Sequence, residues 1–179
     1  MALFSFICDA AGADEVTVEE GNLLDGGAIQ ENRALTVTIC SGKFSGIHEM
    51  VLRAEAVSRI EESRPLAQQF ALLKVAEAAG VTVPKPFWYC SDVEIIGKPF
   101  YLMKRVEGES LGNRITREGE KPNLAAALGR ELASIHSIKL PQKQLGFLKI
   151  VSSSPALEAI GKYRAYLDEL PEPHPVLEW

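Results

Sequence analysis

The amino-acid sequence predicts an α+β protein in which a five-stranded antiparallel sheet with helices precedes a purely helical part. Up to residue 108, runs with the alternation or apolar content of strands lie between glycine and proline turns, and two helical patterns interrupt them. Beyond residue 108 only helical patterns follow. The sequence therefore divides into two regions with different kinds of structure.

The change falls in a short segment that predicts a strand ending in a hinge. An apolar run at residues 100–103 has the length and aromatic content of a buried strand, and it passes directly into Lys104 and Arg105. Gly108 then breaks the strand, and we call residues 104–108 the hinge. The predicted lobes on its two sides are residues 1–108 and 109–179.

The first lobe is predicted to begin with a helix and a three-stranded meander. Small residues towards Gly12 suit a short helix over residues 2–12. Strands are predicted at residues 16–24, 34–39 and 49–53, and glycine-containing turns join them. Neighbouring strands joined by short turns predict antiparallel pairing.

A helix and two further strands complete this lobe. The helix begins at Pro65, because proline is tolerated in a first helical turn, and it ends near Gly80. Its apolar residues follow helical spacing; they are Leu66, Phe70, Leu73 and Ala76. Prolines keep residues 81–87 extended, and strands follow at 87–90 and within 99–108.

Beyond the hinge the sequence predicts one short and two long helices. The short helix covers residues 111–115. A long helix runs to residue 138 with Asn123 as its N-cap, and His136 near its end is expected to be a packed or capping residue. Its apolar side is formed by Leu124, Leu128, Leu132 and Ile135. Ser154 and Pro155 open the last helix, over residues 156–170, whose apolar positions are Leu157, Ile160, Tyr163, Ala165 and Leu167.

The last four residues, 176–179, have the pattern of a further apolar helical turn. Large apolar side chains at a chain end would lie in water, at a cost of about 1.5–3 kcal/mol each relative to burial. From this pattern we expect the chain to be truncated.

Composition excludes several classes of function. The chain has 179 residues and a net charge of −5, with no cluster of Lys and Arg, so we expect neither a nucleic-acid nor a membrane partner. The 3 cysteines are far apart in sequence and the 3 histidines form no ligand motif with them, which argues against a metal site or disulfides. The apolar start is too short for a signal core. A cytoplasmic globular protein is expected.

A few residues suggest nucleotide binding without reference to any family. Gly26 and Gly27 form a turn between strands, where backbone N–H groups can lie over phosphates. Arg53 ends the third strand and offers a cationic fork to phosphate oxygens. Both features also fit a structural role, as a plain hairpin turn and a solvated strand end.

The same stretches resemble the aminoglycoside-phosphotransferase-like kinase family. Residues 64–108 look like that family's amino-terminal lobe, and LDGGAIQEN at 24–32 is similar to its glycine loop. Residues 51–53 are similar to its third strand, and the resemblance continues through helices at 124–138 and 155–170. It thus covers nearly the whole chain.

The resemblance implies a protein-kinase-like fold that transfers the γ-phosphoryl group of ATP to a small-molecule hydroxyl, with ATP and Mg²⁺ as cofactors. Arg53 takes the place of the phosphate-holding lysine, and Met103 faces the adenine pocket as gatekeeper. The backbone of Lys104 and Val106 pairs with the base. The residues implied to cover the phosphates are Gly26, Gly27, Ala28, Ile29 and Gln30.

Two departures from the family pattern affect this reading. Kinase-like enzymes pair the third-strand cation with a glutamate on the next helix, and here that position holds Gln69. The His-Gly-Asp catalytic loop, its downstream Asn and the metal-binding Asp do not occur in this sequence. No catalytic residue is therefore assigned here, Mg²⁺ ligands are expected downstream, and the chain alone is predicted to be inactive.

A second reading is a naturally short, non-catalytic module with a kinase-like lobe that binds nucleotide or docks a partner. Gln69 and the absent catalytic loop are compatible with it. The substrate is left open by the sequence, because the family acts on antibiotics, choline-like alcohols, sugars, amino-acid hydroxyls and hydroxylated acyl thioesters.

Overall fold

A computed structural model describes residues 2–24, 30–55, 63–109, 112–117, 123–150 and 154–169. The predicted α+β fold class is confirmed. The elements in chain order are α1 (Ala2–Ala11), β1 (Val16–Leu23), β2 (Gln30–Ile39), β3 (Gly46–Glu55), α2 (Leu66–Ala78), β4 (Pro86–Cys90), β5 (Phe100–Lys104), α3 (Gly112–Arg117), α4 (Leu124–His136), a 3-10 turn (Lys143–Leu145) and α5 (Pro155–Asp168).

The chain forms two compact units, Met1–Lys139 and Leu140–Trp179. The first contains the whole sheet with α1 to α4, and the second contains the 3-10 turn and α5. The sequence-based division after residue 108 into two lobes stays a prediction.

The sheet has five strands in the order β1-β2-β3-β5-β4, and each neighbouring pair is antiparallel. The predicted meander of the first three strands is present. Strands β2 and β3 are each 10 residues long, longer than their predicted cores at 34–39 and 49–53. Their ends are polar, and backbone pairing continues through them because the ladder does not require apolar side chains.

One face of the sheet packs against α1 and forms the main core. Ile7 of α1 is fully buried there with Leu52 of β3 and Leu102 of β5. Phe100 is 0% exposed and makes an edge-on contact with Phe6, with 5.3 Å between the ring centroids. Gly12 ends α1 with a φ of 63°, as the sequence predicted for a glycine C-cap.

The other face packs against α2. The ring of Phe70 lies 5.6 Å from that of Tyr101 and 6.0 Å from that of Tyr89. Tyr101 and Arg53 are directly opposite each other on β5 and β3, so they share this face. We call it the Arg53 face.

Helix α4 corrects two sequence-based expectations. Asn123 has helical backbone angles and makes no side-chain capping hydrogen bond; its carbonyl oxygen instead accepts the N–H of Ala127, at 2.9 Å. His136 is exposed rather than packed. The apolar positions follow the predicted spacing, but the structure leaves them 43–62% exposed; they are Leu124, Leu128, Leu132 and Ile135.

A two-point hydrogen bond anchors α4 to the loop before β4. The Glu131 carboxylate accepts the backbone N–H of Thr82 at 2.9 Å and its hydroxyl at 2.7 Å. These bonds, led by that from the hydroxyl, lower the pKa of Glu131 from its usual value. The charged form is therefore favoured in the folded state.

Replacing Glu131 with glutamine is expected to lower the thermal unfolding midpoint near neutral pH, because the amide cannot accept both donors equally well. The folded-state pKa is depressed, so the carboxylate stabilises the fold above its ordinary pKa and loses this effect as the pH falls through the lowered value. The difference between variant and parent should shrink in acid. Differential scanning fluorimetry across pH tests this, with exposed Glu94→Gln as the matched control; an equal deficit at every pH would contradict it.

In the second unit, α5 begins with Pro155 in its first turn, as predicted. Ser154 occupies the N-cap position with an extended backbone, and its side chain makes no capping hydrogen bond. Lys149 pairs with Glu158 at 2.6 Å, and Leu145 is buried. Across the described parts of the whole chain, every helix is too short or too polar to cross a bilayer.

Candidate functional site

The predicted site residues fall into three groups. Gly26, Gly27, Ala28 and Ile29 lie outside the described residues. Gln30 and Arg53 lie on neighbouring strands, and Gln69 lies in α2. Met103, Lys104 and Val106 lie at the end of β5 and in the hinge.

Strand alternation places Gln30 on the Arg53 face. Between Gln30 and Asn32, Glu31 is held on the opposite face by Lys98 at 2.6 Å and by Arg33 at 3.5 Å. Successive side chains of a strand point to opposite faces, so Gln30 and Asn32 both lie on the face of Arg53. Asn32 is paired directly with Arg53 in the register of β2 and β3.

Asn32 is a residue that sequence reasoning missed. The prediction began this strand at residue 34, so the register of residues 30–33 was not considered. The alternation of charged and amide residues through Gln30, Glu31 and Asn32 was the signal available in the sequence. A strand extended back to residue 30 would have placed both amides beside Arg53.

The contact that holds Glu31 gives a direct prediction. The Lys98 hydrogen bond is the main cause that lowers the pKa of the Glu31 carboxyl, and Arg33 adds to it. In Lys98→Met the pKa of Glu31 should rise towards its ordinary value, because the nearest donor and charge are removed. A carboxyl-detected NMR titration measures this. Lys74→Met, with its ammonium over Phe70, is the matched control, and an unchanged Glu31 titration in Lys98→Met would disprove the assignment.

Arg53 itself is half-buried in apolar and aromatic surroundings. Val51, two residues earlier on the same face, is 5% exposed, and Tyr101 opposite is 2% exposed. Burial raises the pKa of the Tyr101 phenol, and the positive charge of Arg53 partly opposes that shift. Among the described residues, Arg53 forms no ion pair. The guanidinium is thus a partly desolvated positive charge that lacks a protein counter-ion there.

Gln69 is engaged elsewhere. Its amide nitrogen donates to the carbonyl oxygen of Arg64 at 2.7 Å. The neighbouring Gln68 accepts a hydrogen bond from the Arg64 guanidinium at 3.5 Å. Within the described residues no hydrogen bond joins Gln69 to Arg53, so its predicted role stays a prediction.

The hinge continues the ladder of β5 for one residue beyond Lys104. The backbone N–H of Lys104 donates to the carbonyl oxygen of Lys85 at 2.8 Å. The backbone N–H of Arg105 donates to the carbonyl oxygen of Glu49 at 2.9 Å. Beyond the end of the strand, no backbone hydrogen bond among the described residues uses the Val106 N–H. An N–H at this position is a donor of the kind that an adenine edge requires.

The cleft that the structure describes beside the hinge does not include Arg53 or Met103 in its lining. Met103 is half-buried opposite Val51, on the Arg53 face. Lys104 and Val106 line an open cleft of about 1010 Å³ together with Phe44, His48 and Phe87. Four cations and two carboxylates also border this cleft; they are Lys43, Lys85, Lys104, Arg105, Glu49 and Glu107.

Acidic side chains are the groups that would hold the Mg²⁺ implied by the resemblance. In the stretches of chain that the structure describes, no three His, Cys, Asp or Glu residues converge to hold a metal ion. Mg²⁺ usually keeps several waters and is held by one or two carboxylates together with the phosphates of a substrate. The Mg²⁺ ligands that the resemblance places downstream of this chain therefore stay a prediction.

The strand order β1-β2-β3-β5-β4, with α1 on one face of the sheet and α2 on the other, fits the kinase-like fold that the sequence resemblance implies. The model of the phosphotransferase enzyme family matches residues 24–177. Since this is well over half of the chain, the protein belongs to that family.

Curated proteins similar to this chain are named as acyl-CoA dehydrogenases rather than as phosphotransferases. The chain is similar to "Acyl-CoA dehydrogenase family member 11" of Pongo abelii, with 32% identity over 105 residues, or 56% of this chain and 13% of that protein. "Probable acyl-CoA dehydrogenase IBR3" of Arabidopsis thaliana shares 30% identity over 146 residues, or 76% of this chain and 17% of that protein. The chain thus spans less than a fifth of the length of these relatives.

A solved structure supports the fold. A "putative aminoglycoside phosphotransferase" from Ralstonia eutropha JMP134 superposes with a TM-score of 0.60 over 94% of this chain and 48% of that one. The sequences are 20% identical, so the likeness concerns the fold alone. The resemblance stated from the sequence, and the protein-kinase-like α+β fold that it implied, are confirmed.

Proposed function

We propose that this chain forms the nucleotide-binding part of an ATP-dependent phosphotransferase that transfers the γ-phosphoryl group to a small-molecule hydroxyl. The observation that carries the proposal is Arg53, a half-buried cation without an ion-pair partner among the described residues. A buried positive charge is costly unless it is compensated, and triphosphate oxygens compensate it well. The Val106 N–H at the hinge, which no backbone hydrogen bond among the described residues uses, suits an acceptor on the adenine edge. We propose the Lys104 carbonyl as the matching acceptor for the base.

The proposed reaction needs several catalytic contributions, and this chain provides only some of them. In phosphoryl transfer, positioning and charge neutralisation provide nearly all of the catalysis. Arg53 contributes charge at the phosphates, and the hinge contributes the orientation of the base. The base that orients the hydroxyl and the carboxylates that hold Mg²⁺ are proposed to lie outside these 179 residues, since the sequence has no His-Gly-Asp loop.

The acceptor class is a proposal that draws on the relatives. Curated proteins similar to this chain are named as acyl-CoA dehydrogenases, so a hydroxylated acyl-CoA is the first acceptor to test. Aminoglycosides, choline-like alcohols and sugars complete the panel. We propose the same phosphotransferase activity for a longer protein that contains this chain.

Transfer from radiolabelled ATP tests the function in two forms of the protein. The 179-residue chain should transfer no phosphate to any acceptor, whereas a reading frame extended into a His-Gly-Asp segment should label one class. Phosphate transfer by the 179-residue chain would contradict the proposal that the catalytic base and the Mg²⁺ ligands lie outside it. An extended protein that labels no acceptor of the panel and binds no ATP would contradict the phosphotransferase proposal.

A non-catalytic docking module is the second candidate, and the apolar side of α4 favours it. Leu128 and Leu132 are 62% and 53% exposed, on one side of the helix. A natural reading frame that stops after residue 179, together with a partner that protects α4 from hydrogen exchange, would support this candidate. Continuation of the reading frame into a catalytic loop would support the enzyme.

A further inference from the structure

Glu49 on β3 holds the first part of the hinge through both its side chain and its backbone. Its carboxylate accepts the hydroxyl of Thr36 at 3.0 Å and pairs with the guanidinium of Arg105 at 3.6 Å. Its carbonyl oxygen accepts the backbone N–H of the same arginine at 2.9 Å. We call Thr36, Glu49 and Arg105 the hinge clamp.

The register of three neighbouring strands brings the clamp together. Thr36 of β2 is directly opposite Glu49. The pairing of β3 with β5 reaches Lys104, so one further step places Arg105 opposite Glu49. Glu49 lies four residues before Arg53 on the same strand, and strand alternation therefore puts its side chain on the Arg53 face. The clamp lies at the hinge end of that face.

Arg105 lies between the two backbone groups that the proposed function assigns to the base, the Lys104 carbonyl and the Val106 N–H. The Lys104 carbonyl and the Arg105 N–H belong to one planar peptide unit. The hydrogen bond from that N–H to Glu49 therefore fixes the direction of the carbonyl. The ion pair restrains the side chain of Arg105, and with it the backbone that leads to Val106.

The hinge has little other support. Lys104, Arg105 and Val106 are all exposed, and beyond Arg105 no backbone hydrogen bond of the described residues uses a hinge N–H. Binding to a segment without a fixed conformation is weakened by the entropy lost when the segment becomes ordered. A clamp that orders the hinge in advance removes part of this cost.

We propose that Glu49 is a positioning residue of the nucleotide site, and that the hinge clamp holds the hinge backbone in the orientation that the base requires. This inference rests on the proposed function, and it adds a residue to which the resemblance gives no role. Arg53 acts on the phosphates, whereas Glu49 acts on the base through Arg105. Changes at the two residues should therefore affect different parts of the nucleotide.

The test reverses the charges of the pair in the 179-residue chain. Isothermal titration calorimetry should show about five-fold weaker binding of adenosine to Glu49→Arg and to Arg105→Glu, because each single change replaces an attraction with a repulsion. The combined variant forms the pair again in the opposite sense. Its affinity for adenosine should return to within about two-fold of the parent.

Inorganic triphosphate is the second ligand of the calorimetry. Glu49 and Arg53 are about 13 Å apart along β3. This exceeds the screening length of about 8 Å at physiological ionic strength. The affinity for triphosphate should therefore stay within about two-fold of the parent in all three variants, whereas general damage to the fold would weaken both ligands alike.

Glu20→Arg is the matched control. It reverses one charge of the exposed pair between Glu20 and Arg33, at 3.3 Å on the face opposite to Arg53. Adenosine affinity should stay within about two-fold of the parent, because this pair does not contact the hinge.

A further readout does not depend on nucleotide. Hydrogen exchange of the Arg105 backbone N–H, followed by NMR, should be slow in the parent and in the combined variant. It should be faster in Glu49→Arg and in Arg105→Glu. If the parent binds neither adenosine nor ATP, the proposed function of this chain fails, and the exchange rates alone decide the inference.

Three results would overturn the positioning role. The first is an Arg105 N–H exchange rate that is the same in the parent and in both single variants. The second is a combined variant that binds adenosine no better than the single variants do. The third is an equal loss of affinity for adenosine and for triphosphate in the single variants.

Discussion

Replacing Phe100 with alanine is expected to lower the free energy of unfolding by about 3–5 kcal/mol. Phe100 is 0% exposed and lies in the core between the sheet and α1, where its ring meets that of Phe6. Alanine removes the buried apolar surface, and the surrounding residues belong to strands that cannot collapse freely into the space. The loss is a large share of the total stability of a domain of this size.

Equilibrium unfolding in urea, followed by circular dichroism, measures this effect. Phe4→Ala is the matched control, because Phe4 lies on α1 and is 44% exposed. Phe4→Ala should lower the free energy of unfolding much less than Phe100→Ala does. Equal losses for the two variants would mean that the core is not centred between α1 and β5.

The sequence predicted most of the fold because the sheet follows strong local signals. Alternating apolar residues such as Leu35, Val37 and Ile39 are fully or nearly fully buried on one face of β2. Gly80 has a φ of 79°, so the predicted end of α2 coincides with a backbone conformation that favours glycine. These features depend on a few neighbouring residues, and a single sequence contains them.

The strand order and strand ends were harder to predict. Strand β5 lies between β3 and β4, which no local pattern specifies, since pairing is decided by contacts far apart in sequence. The polar ends of β2 and β3 pair through backbone groups alone. Their side chains resemble those of loops, so the prediction stopped at the apolar cores.

The candidate site was predicted less completely than the fold. Arg53 was found because a cation at the predicted end of the third strand is visible in the sequence. The structure corrects that end, since β3 continues to Glu55, and it shows the partial burial of Arg53, which the sequence does not. Asn32 was missed because its relation to Arg53 exists only through the register of two strands. Gln69 was assigned by position in the resemblance, and only the structure revealed its hydrogen bond to Arg64.

Replacing Arg53 with methionine is expected to weaken ATP binding by about 10- to 150-fold. Hydrogen bonds to charged groups contribute about 1.5–3 kcal/mol each, and methionine keeps the apolar stem while removing the fork. Adenosine should bind as it does to the parent, because the loss is confined to the phosphates. The ATP affinity of Arg53→Lys should lie between those of the parent and of Arg53→Met, because lysine retains the charge but not the two-point geometry.

Arg33→Met provides the matched control on the same sheet. Arg33 is paired with Glu20 at 3.3 Å and lies on the face opposite to Arg53, so its removal should leave ATP affinity within about two-fold of the parent. Calorimetry at two salt concentrations sharpens the comparison, because a charge–phosphate contact weakens with added salt and base contacts do not. ATP binding that is as tight in Arg53→Met as in Arg33→Met would remove Arg53 from the phosphate site. A purely structural role in β3 would then be the better account of this residue.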